Sequence, residues 1–340
     1  MVTKTLSSYT KSSIDVFLEE IEGFILLSER EKAKIRLVYS FADLLHHDET
    51  RKDKSPYFEH PKEVAKTLKK ITDPSASQII IALLHDLIEN TAVEYYLLKH
   101  LFWVEIANWV RSISKKCWTL YLKDVPQDGL SPEDIERIKS LKWNDPIHQI
   151  LTPEEIDDNE VNVVFSGSNF SEKQQKIQSL LDSLIHSLGE HQEKVFDIII
   201  IDCPNSKRQE ISEFIANVFQ GTPFDFKVSF HEYVKKDSLP IYAWFPEKVK
   251  ALARRERDKD YFENMENLPD FVLDVKFADR IHNLETTSWL SDEKKAKLLR
   301  ETQLYFLPVA KKRNQRAWNI MRSCCSRLVS EIFNSRIGKI

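Results

Sequence analysis

The segment Ile79-Ile80-Ile81-Ala82-Leu83-Leu84 is apolar around its whole circumference and runs directly into His85-Asp86. A helix that is apolar on every side has to be enclosed by other elements. This stretch therefore defines a central helix around which the rest of the chain must pack. It also poses a chemical problem, because Glu89 and Asn90 follow His85 and Asp86 at a spacing of four. On a continuous helix that spacing places all four side chains on one side. Burying such a cluster is costly unless something offsets it, and a divalent ion would do so, since imidazole nitrogens and carboxylate oxygens are its ordinary ligands. Taken alone, the His-Asp pair supports either two metal ligands or a helix-end histidine beside a surface aspartate.

The flanking sequence supplies the enclosure. "SIDVFLEEIEGFILL" and "EREKAKIRLVYSFADLLHH" carry apolar residues at three-to-four spacing, with Ser13 and Ser28 as candidate caps. "HPKEVAKTLKKI" predicts a third helix opening at His60-Pro61, "DPSASQIIIALLHDLIEN" a fourth, and "AVEYYLLKHLFWVEIANWVRSIS" one or two more. Only 6 glycines in 340 residues speak against a glycine-rich phosphate loop and for helices. After about residue 125 the texture changes to a polar, acidic, proline-punctuated stretch. Three strand candidates follow, at 161–167, 196–202 and 226–234, with helical patterns between them. That order implies a small parallel-sheet unit. The helical pattern returns from about residue 248. The expected fold is mainly α, an all-helical core interrupted by an inserted βαβαβ unit at residues 126–248. Two independent domains in series is the other reading.

Composition narrows the function classes. The chain is 42% hydrophobic and 30% charged, as a globular protein with a substantial core should be. No apolar run approaches the roughly 20 residues a membrane helix needs, and the N-terminal stretch lacks a hydrophobic signal core, so no membrane association and a cytoplasmic location are expected. Cys117, Cys203, Cys324 and Cys325 show no CxxC spacing and read as reduced thiols. Net charge is −4 but uneven: Lys294–Ile340 holds 12 Lys and Arg against 2 acidic residues, whereas Pro126–Lys250 holds 13 against 22. The basic end reads either as an anion-binding surface or as a solvated face near the acidic segment. Nucleic acid is not the expected partner.

Two further segments bear on the His-Asp pair. "HHDETRKDKSPYFEHPKEVA" offers His60 at a helix start with Arg51 and Lys52 upstream, and "DVKFADRIHNLETT" offers Asp279 with Asn283 four residues on. Two histidines and two aspartates from three helices would make a four-ligand set suited to a hard or borderline ion such as manganese. Each also has a bland reading: His60 as a cap, Asp279 as a partner of Arg280.

At this point the sequence resembles a known family, the HD-domain phosphohydrolases, and specifically the RelA/SpoT-type alarmone (ppGpp) hydrolases. The resemblance rests on His46, Arg51 and Pro56-Tyr57-x-x-His60-Pro61-x-x-Val64-Ala65, on "ALLHDLIENT", on "VKFADRIHN" at 275–283, and on "ETQLYFLPVA" at 301–310. It implies a helical HD domain built from residues 1–125 and 249–340, with the α/β module inserted after "ANWVRSISKK". It also implies Mn²⁺ held by His60, His85, Asp86 and Asp279, nucleotide positioning by Arg51, Lys52 and Asn283, and removal of the 3′-pyrophosphate from ppGpp or pppGpp. Glu89 would orient or deprotonate the attacking water. Alarmone synthesis is not implied by the HD segments.

Two departures stand out. The family has Glu-Asp where this chain has Glu89-Asn90, and a neutral amide accepts no proton from water. Asn90 is then either a hydrogen-bonding partner beside the base Glu89 or the mark of a silent alarmone sensor. A third reading keeps the metal and takes another 3′-phosphorylated nucleotide, an adenosine analogue included. The second departure is length: Asp86 and Asp279 stand 193 positions apart (279 − 86), the extra residues being the α/β segment. That module would be a lid, a protein-partner interface or a specificity element.

Overall fold

The computed structural model describes residues 12–91, 93, 95–116, 121–122, 125, 130–140, 160–188, 194–231 and 245–337. Helices α1 (Ser13–Glu22), α2 (Glu29–Leu45), α3 (Glu59–Ile71) and α4 (Ala76–Leu84) open the chain. Ser28 caps α2 through a reciprocal capping box with Glu31, as its sequence position predicts. The cap of α1 is Ser12 rather than Ser13. Helices α5 (Leu87–Asn90), α6 (Tyr95–Leu101), α7 (Val104–Ile113) and α8 (Pro132–Ser140) follow. The polar, acidic stretch after residue 125 is helical at α8 among its described residues. Its Ile138 is buried with Leu122, Val125, Phe245 and Val249 in a small second core.

The three strand expectations land within a residue or two: β1 (Glu160–Ser166), β2 (Val195–Ile201) and β3 (Asp225–His231). Positions 232–234 of the third lie outside the described residues. The strands form a parallel sheet in the order β1-β2-β3, with Glu160 opposite Val195 and Val195 opposite Asp225. Helices α9 (Phe170–Ser187) and α10 (Arg208–Phe219) make the crossovers. Where β1 ends, Gly167 runs so close to β2 that a Cβ there would stand 2.7 Å from Cys203 Cβ. Gly167→Ala should therefore force the strand ends apart, at a cost of about 1–3 kcal/mol. The checking measurement is the urea midpoint, which should fall further for this variant than for Gly221→Asn, whose position is open space and carries only the backbone strain of φ +80.

The chain then returns to helices: α11 (Glu247–Met265), α12 (Asp270–Glu285), α13 (Asp292–Glu301), a π turn at Thr302–Phe306, α14 (Leu307–Arg313) and α15 (Gln315–Ile337). Helix α12 packs against α3, α4 and α15, so segments from both sides of the sheet region in sequence form one helical body. The sheet unit is seated on it by α9 against α2 and by β1 against α6 and α2. One buried hydrophobic cluster runs through both, from Ile79 and Phe277 to Val163 and Ile199. Polar pins cross the same seam: Lys173, 1% exposed, bonds Asp48, and Lys176 bonds Asp43 at 2.7 Å.

Among the described residues no helix is long and apolar enough to cross a membrane. Cys203, Cys324 and Cys325 are free. Among the described residues of the basic end, Arg313 pairs with Asp270, Lys312 with Glu266, and Lys295 with Glu331.

Candidate metal centre

The fourth helix predicted within residues 73–90 is interrupted. It stops at Leu84, turns through His85 and Asp86, and resumes as the short α5. The cause is local. His85 Nδ1 donates to the carbonyl of Ala82 at 2.7 Å, the group that Asp86 N–H would bond in an unbroken helix. The break swings both side chains to the point where α3 and α12 cross α4.

There the side chains converge. One ligand atom from each of His60, His85 and Asp86 lies within 4.8 Å of the others. Asp279 Oδ1 stands 3.3 Å from His60 Nε2 and 3.8 Å from His85 Nε2. Asp86 Oδ1 is 3.2 Å from His85 Nε2, and its Oδ2 is 3.6 Å from His60 Nε2. Two ligands at right angles on an ion with bonds of about 2.1 Å stand about 3 Å apart. His60 and His85 are 4% and 1% exposed.

The donor set also fits an ion by its hydrogen bonds. Because a carbonyl only accepts, His85 Nδ1 carries the proton, and Nε2 is then the free ring nitrogen. That atom is buried and makes no hydrogen bond, a costly state unless something fills it. His60 Nδ1 lies 2.8 Å from Nδ1 of His282. Burial, then the charges of His60 and Arg51, push His282 down to about 3, so its ring is neutral. The other nitrogen of the His60 ring, Nε2, is the one turned toward Asp86 and Asp279.

The carboxylates are held as anions. Burial pushes Asp86 upward, but His85, His60 and the Tyr57 hydroxyl outweigh it and hold the group below its ordinary value. Asp279 is held well below, since Lys276 and the two histidines overcome its burial. Lys276 Nζ reaches Asp279 Oδ2 at 3.2 Å, and Asn283 Nδ2 donates to Oδ1 at 2.6 Å. Burial disfavours charge on Lys276, yet Tyr261, Asp279 and Glu89 together raise its pKa, so it remains an ammonium.

Tyr57 links Asn90 to the centre. Its hydroxyl donates to Asp86 Oδ2 at 2.7 Å and accepts from Asn90 Nδ2 at 2.7 Å. Burial and the Asp86 charge keep Tyr57 protonated. The amide at 90 thus supplies the donor that leaves the tyrosine proton directed at Asp86, which a carboxylate at 90 would compete for. Orienting partners of this kind commonly tune metal affinity 10–100-fold. If the cluster holds a divalent ion, Tyr57→Phe should weaken its binding by about tenfold or more, read by titration with Mn²⁺.

Glu89 follows Asp86 by three positions on the short α5. Its side chain is exposed, and Oε1 accepts from the Lys115 backbone N–H at 2.7 Å. The surrounding protein and the Asp86 charge raise its pKa. Arg51 sits in a loop closed by Lys54 at φ +70 and is near enough to His282 to act on its titration. Lys52 is not brought into the cluster. It is exposed beside Lys294, whose ammonium lowers its pKa.

Sequence reasoning missed the roles of Tyr57, Lys276 and His282, although all three lie in the motifs quoted. The available signal was their spacing, since Lys276 and His282 flank Asp279 at −3 and +3 on α12 and so share its face.

A His₂Asp₂ cluster with buried histidines and half-buried aspartates on a helical frame is the class of site these elements define. No model of a known protein family matches the chain. It is 32% identical over 138 residues to guanosine-3′,5′-bis(diphosphate) 3′-pyrophosphohydrolase of Aquifex aeolicus, covering 39% of this chain and 20% of that one. It is 33% identical over 129 residues to GTP pyrophosphokinase rsh of Brucella melitensis, 36% of this chain and 17% of that one. To GTP pyrophosphokinase of Myxococcus xanthus it is 37% identical over 81 residues. The chain is therefore similar to RelA/SpoT-type proteins over about two fifths of its own length, and spans a fifth or less of theirs.

Proposed function

We propose that the chain is a Mn²⁺-dependent hydrolase that removes the 3′-pyrophosphate from guanosine alarmones, giving GDP or GTP and pyrophosphate. The observation that carries this reading is the convergence of His60, His85, Asp86 and Asp279, with one buried histidine nitrogen left bare at its centre. The relatives' printed names supply the substrate class. In this reading residues 1–125 and 249–340 are the two parts of an HD domain, and 126–248 is an inserted module available to a protein partner.

His60, His85, Asp86 and Asp279 would hold the ion, which when bound supplies Lewis acidity to the attacked phosphate and lowers the pKa of water. The chain does the rest. Tyr57, with Asn90 behind it, keeps Asp86 oriented, and Lys276 and Asn283 do the same for Asp279. Glu89, exposed and with a raised pKa, takes the proton of the water that adds to the 3′-phosphorus. The bond from that phosphorus to the ribose O3′ breaks, and the released oxygen gains a proton from solvent. Arg51 would neutralise phosphate charge. Asn283 would contact the nucleotide through its second amide N–H while the first holds Asp279.

The retained Glu89 and the donor role of Asn90 favour turnover over a silent sensor. The test is incubation of ppGpp with the protein and Mn²⁺, with the products resolved by ion-exchange chromatography. GDP and pyrophosphate are expected. Intact ppGpp that remains bound would identify a sensor, and turnover of 3′-phosphoadenosine nucleotides alone would reassign the substrate.

A further inference from the structure

A cavity of about 640 Å³ lies at the seam between the helical body and the sheet unit. Its walls come from α2, the α6–α7 junction, β1 and the end of α9, so neither unit forms it alone. Small-molecule sites favour such seams, and this volume falls in their usual range of roughly 300–1,000 Å³.

Its lining is one-sided in charge. Arg30, Lys34, Arg36 and Lys194 border it, and no carboxylate does among the described residues. Arg36 is engaged by Asp15 at 2.7 Å. Arg30 makes no ion pair within the described residues, and the Lys34 ammonium sits 4.1 Å from the centre of the Trp103 ring. A cleft walled by apolar groups and lined by one sign of charge focuses its potential and raises the local concentration of an opposite ion. The other wall is apolar, formed by Leu101, Phe102, Trp103 and Leu184. Inorganic phosphate would use the cations and leave that wall wet.

We propose that this cavity is a second ligand site, separate from the metal centre, that binds a nucleotide with its phosphates on Arg30 and Lys34 and its base on the Trp103 wall. The proposal does not rest on the hydrolase reading. Neither Arg30 nor Lys34 belongs to the His₂Asp₂ cluster or its hydrogen-bonding partners.

Isothermal titration of the whole chain with GTP and ATP in EDTA tests it. EDTA keeps the metal centre from contributing a metal-bridged phosphate contact. Saturable binding of either nucleotide is expected, weakened about tenfold or more by Arg30→Glu, since charge-assisted contacts to phosphate are the strong ones. The milder Arg30→Gln and Lys34→Gln should weaken it in the same direction, which guards against loss of folding in the reversal. Arg316→Glu, an exposed charge reversal on α15 outside the cavity lining, should leave binding unchanged. The proposal is overturned if neither nucleotide binds, if the cavity variants bind as wild type does, or if pyrophosphate binds as tightly as GTP.

Discussion

Asp86→Ala is expected to lower the rate of pyrophosphate release from ppGpp by about three orders of magnitude or more, with Mn²⁺ in excess. The reasoning starts from charge. The cluster pairs two histidines with two carboxylates, and Asp86 faces both imidazole Nε2 atoms at 3.2 and 3.6 Å. Its removal strips a negative ligand, leaves the Tyr57 hydroxyl without its acceptor, and opens the centre to water. Lewis-acid assistance is worth several kcal/mol in such reactions, and each 1.4 kcal/mol is about tenfold in rate. Asp86→Asn should lose less binding than Asp86→Ala because it keeps the shape and one oxygen. Steady-state release assays across a Mn²⁺ titration check this, and rates within tenfold of wild type would place the chemistry elsewhere.

Lys276→Met is expected to produce the largest loss of stability. Lys276 is 6% exposed, and its ammonium serves Asp279 directly and Glu89 through the electrostatics of the cleft. Methionine keeps much of the volume but leaves a buried carboxylate without its cation. Breaking a buried pair in this way typically costs about 3–5 kcal/mol, most of it the uncompensated charge. Double substitution with Asp279→Asn should recover part of that loss, which a general packing defect would not. Chemical denaturation of the metal-free single and double variants gives the comparison.

Local periodicity carried much of the architecture. The all-round apolar run at 79–84 does become a fully buried helix, and the three strands and their parallel pairing follow from short apolar runs separated by amphipathic helices. The break at His85-Asp86 was illegible, because it depends on a ring nitrogen capturing the Ala82 carbonyl rather than on residue pattern. The π turn at 302–306 and the helix in the acidic stretch were likewise unannounced. For the site, the residue types and their helical positions were readable. Their convergence was not, since His60 meets His282 across 222 positions of chain. The orienting network of Tyr57, Asn90 and Lys276 depends on that convergence, and so remained invisible to spacing except on α12 itself.

The most direct test of the central claim is the metal content of the purified protein. After loading with Mn²⁺ and gel filtration, inductively coupled plasma mass spectrometry should find about one ion per wild-type chain, as a single four-ligand set requires. His85→Ala and Asp279→Ala should each retain little. Wild-type protein without manganese or any competing divalent ion, or variants that load as fully as wild type, would contradict the account.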